Sequence, residues 1–214
     1  MNAFAGEITP DVRFELDRLH ERSRRQSIEI ATSFVFLIDL RDRYTGGHST
    51  RVATYCRETG VRMGLDDQEL DTLVTAASLH DVGKIGVSDP VLLKAGRLTD
   101  EEFAEIKKHP EYGWMVLRNV EGLKEASLVV LHHHERLDGR GYPGGLSGDA
   151  IPLGSRIIAV ADTYDAMTTT RPYRKALTTE CALDELERCA GTQFDPDAVA
   201  AFVAYMQQCG MRAA

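Results

Sequence analysis

Six of the seven histidines in this chain fall at or near the ends of predicted helices, and no other feature constrains the fold as much. His48, His80, His109, His132, His133 and His134 are far apart in sequence or grouped behind one apolar segment. Polar side chains at the edge of a core are costly without a partner, so helix ends carrying them favour convergence on one pocket. His20 differs, because it sits in a highly charged segment and is expected to be solvated. Between the histidines, apolar residues recur at helical spacing, and no stretch sustains the alternation of a half-buried strand. The expected class is all-α.

In chain order, residues 8–40 read as one long helix, with Phe14, Leu16, Leu19, Ile28 and Ile30 set among arginine and glutamate. Its charged half, 18–25, is too polar for a core and suits an exposed stem, a dimer contact or a connector to an upstream domain. A second helix is predicted over 48–63, ending at Gly64, and a third from Asp66 or Asp67 to His80-Asp81, broken by Gly83 and Gly86. Thr99-Asp100-Glu101-Glu102 is a capping-box pattern, and the helix it opens is expected to reach His109-Pro110. A helix over 123–131 delivers His132, His133 and His134. Residues 135–154 hold six glycines and two prolines, and a loop of that length inside a compact domain is usually functional. Helices over 156–168, carrying Asp162, then 179–190 and 196–206 complete the chain. The expected division is a stem over 1–30, the main domain over 31–208 and a tail over 209–214.

The chain's 214 residues suffice for one domain with a substantial core. A net charge of −8 argues against a partner as large and anionic as a nucleic-acid polymer. Any smaller anion must be drawn by local positive charge. Cys56, Cys181, Cys189 and Cys209 are scattered, without a C-x-x-C pair or a secretory signal, which points to a reducing, cytoplasmic setting. The apolar run from Phe34 to Ile38 is too short to span a membrane and reads as a buried helix segment.

The adjacent pair His80-Asp81 combines an imidazole with a carboxylate, a mixture suited to manganese, iron or zinc more than to calcium or magnesium. The two oxygens of Asp81 can bridge two ions, and Lys84 can meet a phosphate oxygen as a point charge. Arg171, Arg174 and Lys175 form a basic cluster after the Asp162 helix, in an acidic protein with few other cationic places for phosphate.

These motifs carry a resemblance. Tyr44-Thr45-Gly46-Gly47-His48-Ser49, His80-Asp81-Val82-Gly83-Lys84-Ile85-Gly86, Leu98-Thr99 through His109-Pro110, and His133-His134-Glu135 are four of its blocks. Asp138-Gly139-Arg140-Gly141-Tyr142-Pro143 and Asp162 through Arg171-Pro172-Tyr173-Arg174 complete it. Over about residues 30–205 the chain resembles the HD-GYP family, a subgroup of the HD superfamily of metal-dependent phosphohydrolases. The resemblance implies a compact HD-type helical bundle. It also implies a phosphodiesterase that opens cyclic di-GMP to linear pGpG, GMP or both, by attack of a hydroxide bridging two ions of iron or manganese.

Carried over position by position, one ion takes His48, His80, Asp81 and Asp162, and the other shares Asp81 and takes His109, His133 and His134. His132 does not match and is expected to be structural, since consecutive helical residues point about 100° apart. Asp81 and Lys84 are the implied catalytic residues, and Lys84, Arg171 and Arg174 the substrate-binding ones. Glu135 and Asp165 are available to orient histidine ligands. Tyr142 either packs its loop or offers an aromatic to a partner. Some relatives carry a glutamate four residues before the first histidine, associated with a third metal. Tyr44 stands there, so two ions are expected. Two alternatives remain open: a catalytically weak cyclic-dinucleotide receptor, and an HD phosphohydrolase acting on another nucleotide such as cyclic GMP-AMP. Expected partners are an upstream sensory or receiver domain, a signalling protein, and a second copy through the N-terminal helix.

Overall fold

The computed structural model describes residues 9–41, 47–170 and 175–213. Ten α-helices are found among them: α1 Pro10–Arg41, α2 His48–Arg62, α3 Asp67–Leu79, α4 Asp89–Leu92 and α5 Asp100–Ile106, followed by α6 His109–Leu117, α7 Lys124–Leu131, α8 Leu153–Thr168, α9 Thr179–Arg188 and α10 Pro196–Ala213. Among the described residues no strand forms, and only isolated bridges join Asp138 to Ser147 and Ala190 to Phe194. The all-α expectation holds. No helix among them is long and apolar enough to cross a membrane.

Helix α3 is the central pillar. It packs on α2, α7 and α8, while α10 closes over α2 and α8, and α9 lies against α8. Leu73, Ala76, Ala77 and Leu79 of α3 are buried with Val52 and Cys56 of α2, Val130 of α7, Ile157, Ile158 and Ala161 of α8, and Phe202 of α10. Each fully buried large aliphatic contributes about 1.5–3 kcal/mol relative to exposure. Only the C-terminal half of α1 joins this core, through Val35 and Ile38, with Ile28 and Ala31 partly covered. Within the run from Phe34 to Ile38, Val35 and Ile38 are buried while Phe34 and Leu37 face outward. Val12, Phe14, Leu16 and Leu19 in the first half are also exposed.

Local chemistry explains the boundaries. Asp66 caps α3 in a capping box with Glu69, and Thr99 does the same for α5 with Glu102, as its sequence pattern predicts. The expected helix from Thr99 to His109 is instead two. Helix α5 stops at Ile106 and His109 opens α6. Pro110 cannot continue a helix begun at Asp100, since it lacks an N–H and clashes with the preceding turn, but it fits a first turn. After α3 the chain forms a 3-10 turn over Val82–Gly86. That turn lies so close to α6 that a Cβ at Gly83 would run into the His109 carbonyl and the Gly113 nitrogen. Helix α8 begins at Leu153, earlier than the predicted 156. Helix α10 continues to Ala213, through most of the segment expected as a tail.

Candidate metal centre

Four helix ends and the middle of α8 meet at one place. His48 is the first residue of α2, His80 caps the end of α3, His109 opens α6, and His133 and His134 follow α7. Asp162 comes from within α8. His133 and His134 converge because α7 has already ended at Leu131, so they lie on a turn where the 100° helical increment no longer applies. His132 points elsewhere, with Nδ1 3.6 Å from Glu135 Oε1.

The donors form two groups, each with one ligand atom per residue inside a 4.8 Å span: His48, His80 and Asp162, and His109, His133 and His134. Asp81 lies between them. Its Oδ2 is 3.5 Å from His80 Nε2 and 3.7 Å from His48 Nε2. Its Oδ1 is 3.5 Å from His109 Nε2. One carboxylate therefore offers a different oxygen to each group.

Hydrogen bonds fix how the imidazoles point. Nδ1 of His80, His109 and His133 donates to the carbonyls of Ala77, Ile106 and Val130, at 2.8, 2.8 and 2.6 Å. Each Nε2 is thereby left with its lone pair directed inward. His48 is held differently, with Nδ1 2.7 Å from Asp165 Oδ2. Arg51 clamps the same carboxylate at 2.6 and 2.9 Å. Asp165 was foreseen as an orienting group, whereas Glu135 instead accepts from the Gly144 and Leu146 amides at 2.6 and 3.1 Å and anchors the glycine-rich loop. Arg51 was missed. Its signal was spacing, since it lies three residues after His48, as Asp165 lies three after Asp162, each pair sharing a helix face.

The donor set fits divalent metal. His48 Nε2 and His80 Nε2 are 3.3 Å apart, as are His109 Nε2 and His133 Nε2. Lone pairs facing at that distance repel unless a proton or cation lies between them. Donors about 2.0–2.1 Å from one ion are separated by roughly 2.8–3.4 Å in octahedral or tetrahedral geometry. Burial pulls His109 down to about 3 and His134 to about 4, and lowers His133 as well, so all three present neutral imidazole at pH 7. Burial also works against charge on His48, but hydrogen bonds to Asp162 and Asp165 outweigh it and push that histidine up to about 10. Burial would raise Asp81 and Asp162. Lys84 and His80 beside the first, and His48 beside the second, reverse this and hold both below the ordinary carboxylate range.

Lys84 Nζ is 2.7 Å from Asp81 Oδ2, so the ammonium stands at the bridging carboxylate. A cavity of about 730 Å³ opens over the donors, lined by His48, Asp81, Lys84, His109, His134 and Asp162 on its floor. Tyr142 forms part of its wall, its ring centroid 4.9 Å from that of His134. The tyrosine packs on the site, and its loop passes so near the chain that a Cβ at Gly141 would strike the backbone of Glu135 and Arg136. Tyr44, Arg171 and Arg174 lie outside the described residues. Lys175 is exposed.

Comparison with known proteins agrees with this architecture. The HD domain family matches residues 33–198. The cyclic di-GMP phosphodiesterase response regulator RpfG of Xanthomonas campestris is 39% identical over 190 residues, covering 88% of this chain and 49% of that protein. The 3'3'-cGAMP-specific phosphodiesterase 3 of Vibrio cholerae is 40% identical over 172 residues, covering 80% of this chain and 37% of that protein. This chain thus spans about half or less of the length of these relatives. Among solved structures, an HDG"Y"P protein from Bdellovibrio bacteriovorus superposes with a TM-score of 0.67 at 17% identity, covering 89% of this chain and 67% of that one. A cyclic GMP-AMP-specific phosphodiesterase of V. cholerae gives 0.53 at 34% identity, covering 84% and 41%. With its helical bundle, its paired histidine groups around His80-Asp81 and its Gly-Tyr-Pro loop, the chain belongs to the HD domain family, in its HD-GYP branch.

Proposed function

We propose that the chain is a metal-dependent phosphodiesterase that hydrolyses cyclic di-GMP to linear pGpG, GMP or both. The observation that carries this reading is the position of Asp81, whose Oδ2 faces His48 and His80 while Oδ1 faces His109. His48, His80, Asp81 and Asp162 would hold one divalent ion, and Asp81, His109, His133 and His134 a second, with iron or manganese favoured by mixed imidazole and carboxylate donors. Such a pair, when bound, lowers the pKa of a shared water and offsets charge on the attacked phosphoryl group. Lys84, next to Asp81, is suited to meet a non-bridging phosphate oxygen. The carbonyl-bound and Asp165-bound Nδ1 atoms keep each Nε2 aimed inward without reorganisation. Arg171 and Arg174 remain proposed phosphate contacts, and Tyr44 remains the reason to expect two ions rather than three.

A second reading has its own support. A relative named as specific for 3'3'-cGAMP is as similar to this chain as those named for cyclic di-GMP. Turnover of cyclic di-GMP and cyclic GMP-AMP, with products separated by chromatography and metal counted in the same sample, tests both. Higher kcat/KM on the mixed ring would favour the second reading. Binding without hydrolysis of either ring by metal-loaded protein would leave a receptor. Lys84→Ala should lower kcat by about 10²-fold, the lower end of what a positioned proton or charge donor supplies, with metal content intact.

Residues 1–30 serve in this reading as a stem to a sensory or receiver domain, with residues 31–208 as the catalytic domain and 209–214 as a tail. Exposed Val12, Phe14, Leu16 and Leu19 on α1 suit self-association or docking to such a domain. A cytoplasmic location accords with the scattered free cysteines.

A further inference from the structure

The cavity over the metal centre has a second wall, supplied by α4, the loop to α5, and α5 itself. Leu92, Leu98, Phe103 and Ile106 make it apolar, and Lys94, Arg97 and Asp100 give it charge. Its two cations are in different states. Lys94 is committed to Glu102, at 2.8 and 2.6 Å. Arg97 is exposed and, among the described residues, has no hydrogen-bond or ion-pair partner. Phe103 is 45% exposed although it lines a cavity. The Lys107 ammonium lies 4.7 Å from the Phe103 ring centroid and 5.4 Å from that of Tyr142, which connects the two aromatics at the cavity.

A phosphodiester at Asp81 and Lys84 accounts for the floor alone. The floor needs neither an exposed aromatic nor an uncommitted guanidinium on the opposite wall. A cavity of about 730 Å³ is within the usual range for a small-molecule ligand. A cyclic dinucleotide brings two phosphates and two purines, so placing one phosphate on the floor leaves the second phosphate and both purines to be met elsewhere. A purine face stacks on an aromatic ring, and a guanidinium forms paired hydrogen bonds with phosphate.

We propose that this wall is the subsite for the half of the cyclic dinucleotide that is not being cleaved. The ring of Phe103 stacks on its purine and Arg97 binds its phosphate. The Lys107 ammonium lies against the Phe103 ring and reaches the Tyr142 ring as well, leaving the other face of Phe103 for the base. Lys94 takes no phosphate, because Glu102 already neutralises it. This assignment rests on the dinucleotide reading above, and its test separates the two.

The test is calorimetric titration of metal-loaded protein with the bis-phosphorothioate analogue of cyclic di-GMP, which resists hydrolysis, with turnover of cyclic di-GMP measured separately. Phe103→Ala and Arg97→Ala should each weaken binding about 10-fold, equivalent to about 1.4 kcal/mol. Phe103→Tyr should restore wild-type affinity, because it keeps the stacking face. Both positions are exposed, and unchanged melting temperatures show that the fold is intact. Affinities within twofold of wild type in both alanine variants would overturn the subsite, even if the enzyme turns over cyclic di-GMP. Binding that depends on Phe103 and Arg97 without turnover would support the subsite and remove the phosphodiesterase reading instead.

Discussion

The two donor groups lie side by side but are built on opposite principles. The group of His109, His133 and His134 is all imidazole, two of its rings anchored to backbone carbonyls and all three depressed by burial. The group of His48, His80 and Asp162 contains a carboxylate, and its His48 is held by a second carboxylate that Arg51 clamps in turn. In the first, backbone carbonyls of the adjoining turns set the orientation of two rings, and the packing of α6 on α7 brings them together. The second depends on side chains from α2 and α8 meeting across the core. Without metal, the first group resists taking on protons and the second attracts one to His48.

Asp81→Asn tests whether the groups act as one centre. Loss of the carboxylate that faces both should weaken metal at both and reduce turnover by more than the roughly 100-fold that follows removal of an outer hydrogen-bonding partner. Metal content by plasma mass spectrometry and kcat are the measurements. Full retention of both would show two independent sites or none. His20→Ala, on the exposed stem, is the control and should alter neither.

Single-group substitutions come next. His133→Ala and His48→Ala should each reduce bound metal from two ions per chain toward one, and anomalous scattering should show which position empties. If either variant empties both positions equally, the division into groups is wrong.

A smaller effect is expected at the outer layer. Asp165→Asn should weaken metal on the His48 side by about 10–100-fold while sparing the His109 side. Arg51→Gln should act in the same direction more weakly, because it removes the clamp and leaves the bond to His48. Equal losses on both sides would mean that Asp165 supports the whole fold rather than one group.

The smallest predicted effect lies in the pH dependence of stability after metal is stripped with a chelator. His109 and His134 titrate at about 3 and about 4 in the folded protein against 6.5 ordinarily, so their contribution is present above pH 6.5 and lost as pH falls toward those values. His48, raised from 6.5 to about 10, contributes fully below 6.5 and loses its contribution as pH rises through about 10. The metal-free protein should melt highest near neutrality. His134→Gln should flatten the acid limb and His48→Gln the alkaline one. A melting temperature that rises steadily with pH from 5 to 10 would contradict the opposed electrostatics of the groups.

Much of this was legible in the sequence where the signal is local. The spacing of Leu70, Leu73, Val74 and Ala77 announces α3, and the Thr99–Glu102 capping box announces the start of α5, because both depend on neighbours within one or two turns. The break between α5 and α6 is equally local, since Pro110 fits only the first turn of a new helix. The candidate donors were nameable through the family resemblance, carried over position by position, and the histidines at helix ends supported a shared pocket. Arg51 was harder, because an arginine on a helix is ordinarily a solvated charge until its acceptor is known.

By itself, then, the sequence determined an all-α chain, most helix boundaries and the chemical types of the site. Only the tertiary structure decided that Asp81 faces each group with a different oxygen, that Arg51 and Asp165 serve His48 while Glu135 serves a loop, and that Phe103 and Arg97 share a cavity with the donors. The physical reason is range. Helix formation and capping are settled between residues three or four apart, whereas His48 and Asp165 lie 117 residues apart. Their distance in space exists only once α2 and α8 have packed on α3.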